Sequence, residues 1–178
     1  MEIEDEAIAA GIDSFMSKPL FASNVLYDFQ QILSRKQTRG GEKQKKAELK
    51  GRRILLAEDM QINAEIITMM LEMSEMQVEH AQNGKIALSL FTEHPAGYYD
   101  AILMDMRMPV MDGLEAAKAI RESGHPDGMR IPIIALTANA FDEDVQRSLQ
   151  AGMDAHLSKP VEPEILNTTI SGLIGSRE

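Results

Sequence analysis

The sequence predicts an α/β protein built on a doubly wound, parallel, five-stranded sheet with helices on both faces. Three observations carry this. Five short strand-like runs alternate with five stretches of helical apolar spacing between residues 51 and 174. Strands that alternate with helices form parallel sheets through crossover connections. Three of the runs are apolar throughout, as strands covered on both faces must be.

The elements follow in order. Ile54 to Ala57 is the first strand and stops at Glu58-Asp59. Ile62 to Met73 has helical spacing, and Ile62, Ile66, Met69, Met70 and Met73 are expected to face inward. Gln77 to His80 is a more polar strand suited to an edge, and Asn83-Gly84 opens a helix that runs to Glu93. Pro95 to Gly97 ends it. Ala101 to Met104 is a buried strand that stops at Asp105. Pro109 has no amide to donate to a strand, and Asp112-Gly113 signals a turn and a helix start. That helix reaches Glu122, and a polar loop follows from Ser123 to Arg130. Ile131 to Leu136 is the fourth strand and Asp142 to Gln150 the fourth helix. Ala155 to Leu157 and Glu162 to Ile174 complete the set.

Composition excludes several functions. The 178 residues contain no cysteine, which removes disulfides, thiol catalysis and cysteine-bound zinc. No apolar run approaches a membrane span, and the start is acidic rather than signal-like, so a cytoplasmic protein with no membrane in this chain is expected. From Gly51 onward there are 20 acids and 10 bases, which argues against direct nucleic-acid binding. The thirteen methionines read mostly as core filler.

Residues 1–33 read as a remnant. AGIDSFMSKPL, Ala10 to Leu20, lines up with AGMDAHLSKPV, Ala151 to Val161, at a constant offset. Val25, Phe29, Ile32 and Leu33 fall in register with Leu166, Ile170, Leu173 and Ile174. This is a repeat: the expected organisation is the tail of a preceding copy at 1–33, a basic linker at 34–50 and the main domain at 51–178. The apolar helix face of the tail is expected to pack or to self-associate.

Four strands hand over to polar groups at their carboxyl ends: Glu58 and Asp59, Asp105, Thr137, and Lys159. In a doubly wound sheet those ends share one crevice. Three carboxylates there repel, and a divalent cation together with Lys159 offsets this. An all-oxygen set without histidine or cysteine suits Mg2+, with Mn2+ a substitute. A carboxylate so placed can attack a phosphoryl group. Asp105 is then the nucleophile, Asp59 holds the metal and Glu58 acts through water. Thr137 and Lys159 take phosphoryl oxygens.

LLAED, LMDMRMPVMDG, IALTANA and LSKP, in this order, resemble the four signatures of the two-component receiver domain. ILLAED and AGMDAHLSKP look most like receivers attached to hybrid sensor histidine kinases. The resemblance covers 52–174. It implies a flavodoxin-like (βα)5 fold with strand order 2-1-3-4-5. It also implies phosphate taken by Asp105 from a histidine on a partner, either a histidine kinase or a histidine phosphotransfer domain. By the same resemblance Asp59, Asp105 and the Arg107 backbone carbonyl bind Mg2+, Thr137 and Lys159 sense the phosphate, and Lys159-Pro160 is cis. His156 stands where many members carry a switch aromatic. Arg107 and Asn139 occupy positions that modulate phosphate lifetime. Met60 stands where similar receivers often have Asn.

Two rivals remain at this stage. A pseudo-receiver with the fold but no phosphorylation is opposed by the intact polar set. A Mg2+-dependent phosphohydrolase usually has a second acid two residues after the nucleophile, where this chain has Arg107. The chain has no phosphodonor histidine box and no GxxxxGK loop, so only self-phosphorylation and self-dephosphorylation are expected of it.

Overall fold

Every residue of the strands Ala101–Asp105 and Ile133–Thr137 is buried, and these two strands sit in the interior of the sheet. The structure, a computed structural model, describes residues 48–138 and 142–176. The elements are β1 (Arg53–Ala57), α1 (Gln61–Glu72), β2 (Gln77–Ala81), α2 (Gly84–Glu93) and β3 (Ala101–Asp105). They continue as α3 (Gly113–Glu122), β4 (Ile133–Thr137), α4 (Asp142–Gln150), β5 (Ala155–Ser158) and α5 (Pro163–Gly175). The strands lie in the order β2-β1-β3-β4-β5, all parallel, as the resemblance implies. The polar strand β2 is at an edge. The expected tail at 1–33 and most of the expected linker at 34–50 lie outside the described residues, as does the self-association assigned to that tail.

Alternation along each strand divides the core into two layers. Leu55, Ile102, Met104, Ile133 and Ala135 pack with Ala87 and Phe91 of α2 and Ala116, Ala117 and Ile120 of α3. Ile54, Leu56, Leu103, Ile134 and Leu136 pack on the other face with Ala64, Ile67 and Leu71 of α1 and Leu166, Ile170 and Ile174 of α5. Leu49, which the sequence places in the linker, is 1% exposed and joins this second layer.

The orientation of α1 differs from the expectation. Ile62 is 62% exposed and Met73 77%, and Ile66 and Met69 are exposed too. The inward face is Ala64, Ile67 and Leu71, with Met70 partly buried beside them. This helix is apolar on two sides, so periodicity marks two candidate faces. The small Ala64 allows the close approach to the sheet that the bulkier stripe does not.

Strand four also starts later than expected. Pro132 cannot donate to a ladder, and it enters the sheet only as an acceptor, from the Ile102 amide at 2.8 Å. Ile131 stays fully buried ahead of the strand.

Candidate functional site

The carboxyl ends of β1, β3, β4 and β5 bring the predicted residues together. β3 pairs with β1 on one side and β4 on the other, and β4 pairs with β5. Glu58 follows β1, its amide bonded to the Ala81 carbonyl at 3.1 Å. Asp105 and Thr137 are the last residues of their strands. Lys159 follows β5, its amide held by the Thr137 carbonyl at 2.8 Å, and the Lys159-Pro160 bond is cis.

The loop after β3 is fixed by close contact. The Gly113 amide bonds the Met106 carbonyl at 3.2 Å. A Cβ at Gly113 would lie 2.2 Å from the Asp105 backbone oxygen, so only glycine lets α3 start there. Asp112 and Glu115 close a reciprocal capping box at this helix start. Between Asp105 and α3, Val110 has φ 69°, a left-handed conformation that a β-branched residue rarely adopts.

Carboxylate oxygens of Glu58, Asp59 and Asp105 lie within 4.8 Å of one another. The Lys159 Nζ is 2.8 Å from Glu58 Oε2 and 3.0 Å from Asp105 Oδ2. Glu58 is fully buried and Asp105 6% exposed, whereas Asp59 is exposed at the rim. The Met60 amide donates to Glu58 Oε1 at 3.1 Å, and the Arg107 amide lies 3.4 Å from Asp105 Oδ1. The Thr137 hydroxyl makes a long bond, 3.5 Å, to the Leu157 carbonyl. Sequence reasoning did not assign His80 to this site. Its Nε2 lies 2.7 Å from the Glu58 carbonyl oxygen, across the β1–β2 pair. No spacing signal marks that contact.

Burial raises the Asp105 carboxyl to about 6, with the Glu58 charge adding to the rise and the Lys159 bond opposing it. For Lys159, burial disfavours the charge, but bonds to Glu58 and Asp105 outweigh it and hold the ammonium above its ordinary value. Glu58 and Asp105 repel by roughly 3–4 kcal/mol at an effective dielectric near 20. Three carboxylates and one ammonium leave two negative charges, which a divalent cation balances. The donors are all oxygen, and the cup is open at Asp59, which fits a hard cation that keeps some of its waters.

His156 lies on β5, paired with Ala135, half-buried, and burial lowers its pKa. Asn139 lies outside the described residues.

The family model for the response regulator receiver domain matches residues 54–171. The chain belongs to that family. The chain is 34% identical over 159 residues to hybrid signal transduction histidine kinase I of Dictyostelium discoideum, covering 88% of this chain and 9% of that protein. Histidine kinase 1 of Arabidopsis thaliana is 36% identical over 155 residues, 70% of this chain and 13% of its own length. The chain therefore spans about a tenth of these curated relatives.

Among solved structures, the receiver domain of a sensor histidine kinase from Pseudomonas aeruginosa PAO1, with a magnesium ion coordinated in its active site cleft, is 41% identical. Its TM-score is 0.64, over 70% of this chain and 98% of that one. The Saccharomyces cerevisiae Ssk1 receiver domain, crystallised with the histidine phosphotransfer protein Ypd1, is 29% identical with a TM-score of 0.63, over 72% and 92%. The receiver thus has the two-component signalling fold that its strand-end motifs imply.

Proposed function

We propose that this receiver accepts a phosphoryl group on Asp105 from a phosphohistidine of a partner, a histidine kinase or a histidine phosphotransfer domain. The carrying observation is the single cup in which Asp105 meets Glu58, Asp59 and Lys159. The magnesium-bound Pseudomonas receiver and the Ypd1-bound yeast receiver support the metal and the partner class. The relatives support a hybrid histidine kinase as the parent protein.

Asp105, raised to about 6, is mostly ionised at neutral pH and nucleophilic. One of its oxygens attacks phosphorus, the bond from phosphorus to the donor imidazole nitrogen breaks, and the electron pair leaves with the imidazole. Glu58, Asp59, Asp105 and the Arg107 carbonyl would hold Mg2+, or Mn2+ in its place. When bound, that cation neutralises charge on the phosphoryl oxygens. Lys159 turns from its two carboxylates to a phosphoryl oxygen. Thr137, whose hydroxyl makes a long bond to Leu157, donates that hydroxyl to another. His156 follows Thr137 from the neighbouring strand. Arg107 and Asn139 occupy the positions that in the family modulate the lifetime of the phosphate.

Intact mass after incubation with acetyl phosphate and Mg2+ tests this: a gain of about 80 Da is expected, and Asp105→Asn should abolish it. An unmodified parent chain, or an equal gain in the variant, overturns the reading.

A further inference from the structure

The rim opposite the acidic cup, where β1, β3 and β4 begin, carries its own polar network. His125 is at its centre. The ring lies 4.5 Å from that of Phe91, centroid to centroid. Its Nε2 is 2.9 Å from the His94 carbonyl oxygen, and its Nδ1 is 3.1 Å from the Asp127 backbone nitrogen. A carbonyl only accepts and an amide only donates. Nε2 must therefore carry the proton while Nδ1 stays bare. The Asp127 carboxylate in turn accepts from the Gly97 amide at 2.6 Å. The ring and this carboxylate together hold the loop before β4 against the turn before β3.

We propose that His125 is an acid-released latch between these two connections. A second proton, at Nδ1, sets one N–H against another at 3.1 Å. The bond from Asp127 is then lost, and the imidazolium is left against Phe91 and a peptide carbonyl.

The other charged groups of the network respond differently. His94, at the end of α2, stacks on Tyr98 at 3.7 Å, and its Nε2 is 3.8 Å from Glu79 Oε2 on β2. The Tyr99 hydroxyl donates to the same Glu79 oxygen, and the Arg53 guanidinium lies 4.0 Å from the Tyr98 ring centre. A protonated His94 gains Glu79 as a partner, so that side of the rim tightens. The Asp127 carboxylate is engaged by the Gly97 amide. If the imidazolium draws it away, the Gly97 bond is lost, which also opens the latch.

The opening is bounded. Arg121 donates to the Gly128 and Ile131 carbonyls, each at 2.8 Å, and to Gly152 at 2.9 Å. The backbone bonds from Gly128 to the His125 carbonyl and from Arg130 and Ile131 to the Asp127 carbonyl, at 2.8–2.9 Å, also keep the loop on β4, so the His125 side chain can swing out while β4 stays in place. The departing ring bares the part of Phe91 it packs on, a side chain otherwise 2% exposed. Acid thus exposes an aromatic edge on the rim away from the phosphate cup.

The test uses the full chain and nitrogen-resolved NMR of its histidines. At neutral pH His125 should be the Nε2–H tautomer. Amide exchange at Gly97 and Asp127, corrected for the intrinsic rate, should lose about tenfold protection on moving to mildly acidic buffer, the effect of one hydrogen bond. The Asp100 amide, on the same rim and bonded to the Arg53 carbonyl at 2.8 Å, should keep its protection. His125→Gln should abolish the pH response, and His94→Gln should retain it. An Nδ1–H tautomer, equal loss at Asp100, or a response that survives His125→Gln overturns the proposal.

Discussion

Replacing Lys159 by Met keeps much of the side-chain stem and removes the charge. The ammonium sits 2.8 Å from Glu58 and 3.0 Å from Asp105. The Glu58 side chain is fully buried, and without Lys159 it keeps the Met60 amide on its other oxygen. Removing one partner of a buried ion pair costs on the order of 3–5 kcal/mol. The Lys159 side chain is itself 23% exposed. The lower end therefore applies, about 3 kcal/mol near neutral pH in chelator, read as a fall in urea midpoint at constant slope. The sign of the pH dependence follows. Without the ammonium, which opposes the rise, the Asp105 carboxyl moves still further above its unfolded value. The variant then loses stability as pH rises through that raised value. Its deficit against the parent is largest near neutrality and shrinks towards about pH 4.5. Millimolar magnesium should narrow it as well, because a bound cation takes over the neutralisation. A loss under about 1 kcal/mol, or one equal at both pH values, would refute the reasoning and make Lys159 a surface lysine.

Other expectations follow from the same cup and the helix beside it. Asp105→Asn should stabilise the metal-free receiver by about 3 kcal/mol at neutral pH, because burial raises the native carboxyl to about 6, well above the ordinary carboxylate range. The parent, not the variant, should lose stability as pH rises from about 4 to 6, and paired urea titrations at the two ends of that window check it. Gly113→Ala should cost about 3 kcal/mol, since its methyl meets the Asp105 carbonyl oxygen at 2.2 Å, and should slow phosphoryl uptake in an acetyl phosphate assay. Asp112→Ala removes one half of the capping box and should cost about 1 kcal/mol in thermal or urea unfolding, with uptake little changed.

Much of the fold and of the cup is legible in the sequence. Strand interiors such as Ile102-Leu103-Met104 are apolar because both faces are covered. The residue that breaks each run is polar because it meets the crevice. That one rule placed Glu58, Asp105, Thr137 and Lys159 together. The orientation of α1 was not legible, because apolar residues on two faces of one helix give periodicity no means of choosing. The choice lies in the sheet, where room beneath the helix accommodates Ala64, Ile67 and Leu71. His80 was missed for a related reason. Its role comes from a backbone carbonyl on the adjacent strand, and carbonyls leave no trace in residue identity.

The contact at Gly113 has a mechanical consequence. With its backbone against the Asp105 carbonyl and its amide tied to Met106, α3 is welded to the nucleophile's strand and cannot slide independently of it. The facing wall is built otherwise: among the described residues the Thr137 hydroxyl has one stretched bond, and Lys159 reaches in on a long side chain whose main chain is pinned to Thr137. Load arriving at the nucleophile therefore has a stiff side and a compliant side, and yields towards β4 and β5.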